Sequence, residues 1–464
     1  MKNVTPSTVV PAALAIAALL LVSGWLSSGP IRPLEARIPG LDRPLGAAPA
    51  ANLPLKGKLV KLEGKAAELP GLWPGFRGEK LDGICHETLP LARKWPAGGP
   101  PLLWSLDLGE GYAGAAVRGG RVFVLDYDRE GSADALRCFS LADGKEIWRL
   151  SYPVVVKRNH GMSRTTPAVT DTELVALGPK CDATCVDPAT GTVRWMFDLV
   201  RKFKATVPQW YNGQCPLIDN GRAILAVGAD ALLVALDCKT GDVVWKSPNP
   251  NGWAMTHGSI TPMEFAGRRM YVYCGKGGVA GVSVDDGKLL WDTSDWKIAI
   301  ATVPSPVILP GGRIFLSGGY NSGALILQLA VERDQIRART LRRIKPGEFG
   351  STQQTPILYE NHLYGVREKD RELVCLDLDG HVVWTSGPQH RFGIGPYLIA
   401  DGLIYVLDDN GKLTLAEAAP GGYRQLDQAQ VLDGHDAWGP MALVGGRLIL
   451  RDLVRMVCVD VAKK

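Results

Sequence analysis

Past residue 104 the chain reads as short apolar runs that alternate with polar positions and break at glycine. Gly120-Arg121-Val122-Phe123-Val124-Leu125, Gly312-Arg313-Ile314-Phe315-Leu316 and Gly402-Leu403-Ile404-Tyr405-Val406 are three such runs. Period-two alternation behind a turn glycine predicts antiparallel strands joined in hairpins. A slower pattern overlies this one. Trp148, Trp195, Trp245, Trp291 and Trp384 each stand four residues after a glycine, and the steps between them are 47, 50, 46 and 93 residues, the last close to two ordinary steps. A period of about 40–50 residues built from short strands marks a β-propeller.

Each unit begins on an apolar strand, passes through a second and a third, and ends on the tryptophan strand. Units start at Ala113, Thr165, Gln214, Ser259, Ala301, Gln354, Ile394 and Pro440. The outer strands at 337–343 and 423–426 lack the tryptophan, and the last unit stops after its third strand. Residues 102–108, which contain Trp104, supply the missing outer strand and close the ring, removing the edges an open ring would expose. The expected fold is all-β: an eight-bladed propeller of four-stranded antiparallel blades closed by an N-terminal strand, with seven blades as the alternative count. Within the repeat a small residue precedes the tryptophan by ten positions, as in Cys185 to Trp195 and Ala235 to Trp245, with Asp187 and Asp237 at eight before. The glycine permits a positive-φ turn. Trp104, Trp148, Trp195, Trp245, Trp291 and Trp384 are thereby expected to dock flat between adjacent blades, each N–H on a backbone carbonyl of the next.

Ahead of the repeats the pattern changes. Lys2 is the only charge in the first 31 residues, and residues 9–22 are an apolar run followed by small residues. Residues 1–28 read as a signal peptide or an uncleaved signal anchor, which places the rest of the chain outside the cytoplasm, secreted or held at a membrane. Residues 29–70, rich in Pro, Ala and Gly, read as a tether. Residues 71–101 form a lead-in that packs on the propeller of residues 102–464.

Composition narrows the function classes. Of 464 residues 46% are hydrophobic, ample for a large core, and the net charge of +5 is too mild to imply nucleic acid. Nine cysteines in an exported chain suggest disulfides, but Cys138, Cys185, Cys375 and Cys458 share one column of the repeat, where other blades carry Ala235 and Gly281. That column wants a small buried group, and thiols serve. Cys181 and Cys185 are the one spacing open to a bridge. The histidines show no zinc spacing, and no metal site is expected.

The loops that enter the innermost strands converge at the mouth of a propeller's channel, and here they are rich in aromatic, amide and basic residues. His160, Arg164, Trp210, Tyr211, Asn212, Gln214, Trp253, His257, Gln353, Gln354, Arg391 and Trp438 are the candidate ligand- or partner-binding residues. Aromatics supply area and polar groups orientation, a surface suited to flat, polar or sugar-like ligands. The competing reading is structural: such loops also pack on one another, a satisfied loop histidine is common, and Arg164 and Arg391 either clamp an anion or bridge blades.

The pattern small-x-Asp-x-x-x-Gly-x-x-x-Trp resembles the docking repeat of pyrroloquinoline quinone (PQQ) propellers, over about residues 102–461. That superfamily contains quinoprotein alcohol dehydrogenases and non-enzymatic members such as the lipoprotein of the outer-membrane barrel-assembly machine. Trp73-Pro74-Gly75-Phe76-Arg77-Gly78 resembles a lead-in found before such propellers in exported bacterial proteins. For an enzyme the resemblance implies PQQ with Ca²⁺ held by carboxylate and amide oxygens, an Asp base and often a disulfide between adjacent cysteines. The chain has no Cys-Cys dipeptide, and no catalytic set maps onto it. The leading expectation is a non-catalytic, monomeric exported propeller that binds a protein or envelope component without a cofactor. A PQQ-dependent alcohol or sugar dehydrogenase is the alternative and a carbohydrate-binding propeller the weaker one.

Overall fold

A computed structural model describes residues 6–28, 56–157 and 160–464. Residues 29–55 of the expected tether, and Arg158 and Asn159 of one mouth loop, lie outside the described residues. The chain divides into one unit of residues 1–38 and another of residues 39–464. The first contains helix α1 (Pro6–Ser28), which falls on the expected signal segment. Among the described residues no helix is long and apolar enough to cross a membrane; the described side chains of α1 are Val10, Pro11 and residues 14–24.

The second unit is an eight-bladed β-propeller of four-stranded antiparallel blades. Blade 1 runs from its inner strand outward as Ala116–Arg118, Arg121–Asp128, Ala133–Ser140 and Glu146–Pro153. The ring closes in blade 8, where the outer strand Leu102–Asp107 pairs antiparallel with Arg455–Asp460 near the other end of the chain. The two outer strands without tryptophan are longer than their sequence suggested, Gln335–Ile344 in blade 5 and Gln425–Gln430 in blade 7.

Strand register explains the small-residue column. Cys138 stands opposite Trp148, Cys185 opposite Trp195, Ala235 opposite Trp245, Gly281 opposite Trp291, Cys375 opposite Trp384 and Cys458 opposite Trp104. A bulge follows at nearly the same place each time, for example between Cys138 and Phe139 and between Cys185 and Val186. A bulge tightens the local twist and re-aims the side chain beside it. In five of the six the indole is then turned toward the next blade: Trp104 Nε1 donates to Leu141 O, Trp148 to Pro188 O, Trp195 to Cys238 O, Trp245 to Val284 O and Trp384 to Ala419 O, all between 3.0 and 3.2 Å. Trp291 departs from the expectation, its Nε1 lying 3.2 Å from Met270 Sδ of its own blade. A Cβ at Gly281 would overlap the Trp291 ring. All nine cysteines are thiols, Cys181 and Cys185 among them.

Where the tryptophan is missing, both sides of the pattern change together. In blade 5 Ile326 faces Arg342, and Arg342 Nη1 reaches Asp379 O in the blade 6 turn at 3.0 Å. In blade 7 Leu415 faces Asp427, whose Oδ2 accepts the backbone N–H of Trp95 at 2.7 Å. Trp95 comes from the segment ahead of the ring and is buried in one core cluster with Leu415 and Val461. The lead-in thus buries a tryptophan beside the blade 7 outer strand, which has none of its own, although the Trp95 Nε1 makes no hydrogen bond.

The segment ahead of the ring does more than pack. Lys58–Lys61, within the stretch expected as tether, pairs antiparallel outside the tryptophan strand of blade 1. Ile84–Cys85 pairs in parallel with the inner strand Tyr397–Ala400 of blade 7. Between them the chain crosses the ring on the side of the turns that leave the inner strands. Trp73 bridges Val117 of blade 1, Val169 N–H of blade 2 donates to Pro74 O, and Glu87 Oε2 accepts Gly445 N–H of blade 8. Arg77 makes four bonds to carbonyls, Leu81 O and Asp82 O in the lead-in and Thr355 O and Pro356 O at the entry to blade 6, at 2.7–3.0 Å. This strap thus joins blades 1, 2, 6, 7 and 8.

Candidate functional site

A cavity of about 440 Å³ is lined by residues from all eight blades and from the strap. Its floor is Phe76 of the strap. Its walls come from the loops entering the inner strands: Tyr112 of blade 1, His160 and Arg164 of blade 2, Trp210 of blade 3, His257 of blade 4, Ala301 and Val303 of blade 5, Gln353 and Gln354 of blade 6, Ile394 of blade 7, and Trp438 of blade 8. Tyr320 joins them from the turn between the second and third strands of blade 5. Trp210 and Tyr320 lie nearly parallel, 7° apart with centroids at 6.5 Å, and Tyr112 and Trp438 meet at 5.1 Å.

The rim is conformationally strained. His160, Trp210, Tyr211, Tyr320, Asn321 and Asp436 all have φ between 55° and 73°. Left-handed backbone is costly for bulky side chains, about 1–3 kcal/mol each, and persists where the surroundings hold it. Carboxylates set just behind the wall tie down the rim loops, two of the left-handed residues among them. Glu368 accepts the N–H groups of Tyr320 and Asn321 at 2.6 and 3.1 Å. Asp409 Oδ1 accepts Trp438 Nε1 and Ile394 N–H, both at 2.8 Å, and Asp452 Oδ2 accepts Gly434 N–H at 3.1 Å. None of these carboxylates lines the cavity.

The charge facing the cavity is positive. Arg164 is half-buried, its Nε donates to Gly161 O at 2.9 Å, and burial lowers its pKa to about 10, so it stays charged at neutral pH. Burial, with the nearby Arg164 charge second, lowers the pKa of His257 to about 4, so its ring is neutral at pH 7.

The family model described as outer membrane protein assembly factor BamB matches residues 132–386, more than half of the chain. The chain belongs to this family of PQQ-like β-propellers. Among solved structures it is similar to BamB from Moraxella catarrhalis, at 13% identity over 78% of this chain and 99% of that one, with a TM-score of 0.52. It is similar as well to a europium-containing methanol dehydrogenase, at 12% identity over 82% and 89% of the two chains, with a TM-score of 0.57. A computationally designed protein, Ika8, gives 12% identity over 77% and 99%, with a TM-score of 0.51. A comparison with curated proteins gives no match. At such identities the likeness is one of fold, and the fold is shared by an assembly factor, an enzyme and a design. Function within the family is therefore decided by the site.

The structure sorts the candidate residues. His160, Arg164, Trp210, His257, Gln353, Gln354 and Trp438 meet at the cavity. Five others do not. Tyr211 is buried, its hydroxyl bonded to both N–H and C=O of Lys157 at 2.8 and 3.0 Å. Asn212 and Gln214 are buried; Gln214 bonds both backbone groups of Ala226, at 3.1 and 2.7 Å, and Asn212 bonds Gln214. Trp253 is buried in the core cluster of blades 3 and 4 against Gly275 and Gly278, and Arg391 is exposed away from the cavity. Loop residues one or two positions apart point to opposite sides, which spacing alone does not reveal. Phe76, Tyr112 and Tyr320 were missed: Tyr320 sits in a Gly-Tyr-Asn-Ser-Gly segment that reads as an ordinary hairpin turn, and Phe76 belongs to the lead-in.

The residues present do not fit the calcium–quinone arrangement. No lining residue is Asp or Glu, and among the described residues no group of three or more His, Cys, Asp or Glu is placed to hold a metal ion. A hard cation such as Ca²⁺ needs six to eight oxygen ligands with carboxylates among them. Arg164 puts a positive charge in the same space.

Proposed function

We propose that this chain is a non-catalytic binding propeller of the cell envelope, a scaffold that holds a protein or envelope component at its mouth. The observation that carries the reading is the placement of the carboxylates: Glu368, Asp409 and Asp452 accept backbone and indole N–H groups of the rim loops and leave the cavity without a carboxylate base or a calcium donor set. The family's description as an outer membrane assembly factor and the apolar N-terminal segment support the envelope setting. Partly exposed Trp210 and Tyr320 supply flat area at the mouth, and aromatic residues are enriched where protein surfaces meet.

The test is site-specific photo-crosslinking in the native envelope. A photoreactive residue in place of Trp210 is expected to trap one discrete partner, and the same probe at Val244 on the outer strand of blade 3 is expected to trap none. Equal trapping at both positions removes the mouth as the partner surface. In parallel, dye-linked oxidation of alcohols or sugars after addition of PQQ and Ca²⁺ would replace the scaffold reading with an enzymatic one.

A further inference from the structure

We infer that the outer strand of blade 5, Gln335–Ile344, is an open edge that takes an acidic, extended segment of a partner protein as a fifth strand. This goes beyond the scaffold reading. None of these residues lines the cavity, so either idea stands or falls without the other.

Length is the first observation. The outer strands of blades 2, 3, 4, 6, 7 and 8 run four to six residues. Only two are longer, Glu146–Pro153 with eight residues and Gln335–Ile344 with ten. The first is already covered, since Lys58–Lys61 of the same chain pairs antiparallel beside it. The second pairs inward with Gly323–Glu332 and ends its sheet, with no strand beyond it among the described residues. Its outward N–H and C=O groups form a template for strand addition. Blade 1 thus shows, within the chain, the device that blade 5 leaves open.

The second observation is that this edge is fixed in place. Ile336 and Ile344 are buried. Arg268 Nη2 of blade 4 donates to Asp334 O in the hairpin turn at 3.1 Å, and Thr340 Oγ1 donates to Asp295 Oδ2 at 2.7 Å. A preorganised edge loses little freedom on pairing.

Charge then selects the occupant. The strand carries Arg337, Arg339, Arg342 and Arg343 and no Asp or Glu. Arg337, Arg339 and Arg343 are exposed, and Leu341 among them is 53% exposed. Arg337 and Arg343 end on neutral oxygens, those of the Gln335 amide and the Asp295 carbonyl, while Arg339 meets Glu332 at the surface. A second copy of this edge is a poor partner, because self-pairing sets arginine beside arginine. A segment with Glu or Asp at alternate positions is the complement. Charged edges also guard against aggregation, but a guarded edge is commonly short, and this is the longest in the ring.

The test is fluorescence anisotropy of labelled peptides, matched to the ten-residue strand and titrated with the full chain. A peptide alternating Glu and Thr is expected to bind one to one, at least about 10-fold tighter than its Lys-and-Thr counterpart. Two further forms carry N-methyl groups on alternate residues, in one phase or the other, which keeps the charge and blocks one edge of the peptide. At least one of them is expected to bind about 10-fold more weakly than the parent. Arg337→Glu combined with Arg343→Glu is expected to turn the preference toward the Lys peptide, a gain that misfolding cannot imitate. No binding of the Glu peptide, equal binding of the Glu and Lys peptides, or equal binding of the parent and both methylated forms would each overturn the inference. So would sedimentation with phosphatidylglycerol vesicles that the double variant loses while the Glu peptide stays unbound, a result that assigns the strand to a lipid surface.

Discussion

At the seam of blades 1 and 2, Trp148 is 1% exposed, sits in an ordinary strand opposite Cys138 and gives its N–H to Pro188 O. At the channel rim, Trp210 is half-buried, sits in left-handed backbone at φ 65° and lies parallel to Tyr320. The same side chain thus works under opposite conditions. The seam gives it a slot shaped by a bulge, a small opposite residue and a waiting carbonyl. The rim holds it in a strained conformation and leaves its face to the cavity. Repetition accompanies the first role and is absent from the second, because one seam resembles the next while a channel mouth is built once.

Substitutions test this contrast. Trp148→Ala should cost about 3–5 kcal/mol, read by urea unfolding, since it empties a slot that neighbouring blades cannot refill. Trp253→Ala should behave like a seam variant, in keeping with its buried place in blades 3 and 4. Arg77→Met should cost about 2–3 kcal/mol by leaving carbonyls unsatisfied, and should open the strap to protease before the ring unfolds.

Asp134 separates seam chemistry by pH. Burial raises its pKa to about 7 against 3.8 for the free side chain, the Asp182 and Asp126 charges add to the rise, and the Tyr152 hydroxyl at 2.5 Å opposes it by stabilising the carboxylate. The folded state therefore prefers the protonated acid. Its contribution is fully present below about pH 4 and is lost as pH rises through about 7. Asp134→Asn should match the parent near pH 4 and exceed it by about 2 kcal/mol at pH 8; parallel pH–stability curves would refute the assignment.

Smaller effects are expected at the rim. Trp210→Ala should shift stability by less than about 1 kcal/mol, and Trp210→Gly should be neutral or slightly stabilising because glycine accepts positive φ without strain. A loss as large as that of Trp148→Ala would make the rim another part of the core. Arg391→Ala, on the exposed surface, should stay within about 0.5 kcal/mol.

Much of the fold was legible because each signal is local. The spacing from Gly191 to Trp195, the small column at Cys185, and the third strand ending at Asp460 with no outer strand after it each reflect contacts along one blade or between its neighbours. The site was legible only in part. The loops were found, but Tyr211, Gln214 and Trp253 turn inward to satisfy backbone or fill core, while His257 and Trp438, in loops of similar composition, face the cavity. A turn one residue longer or shorter reverses which side chain points in, and composition does not record it.

By itself, then, the sequence determined the repeat, the number of blades, the strand that closes the ring and the column of small residues opposite the tryptophans. These follow from periodicity, and periodicity survives because every blade meets the same packing problem. The tertiary structure alone decided that the lead-in contacts five blades, that Trp95 is buried beside the blade 7 outer strand, that Phe76 joins the wall of the cavity, and that Arg164 lines it. Those contacts join residues far apart in the chain and occur once, so no repeat announces them.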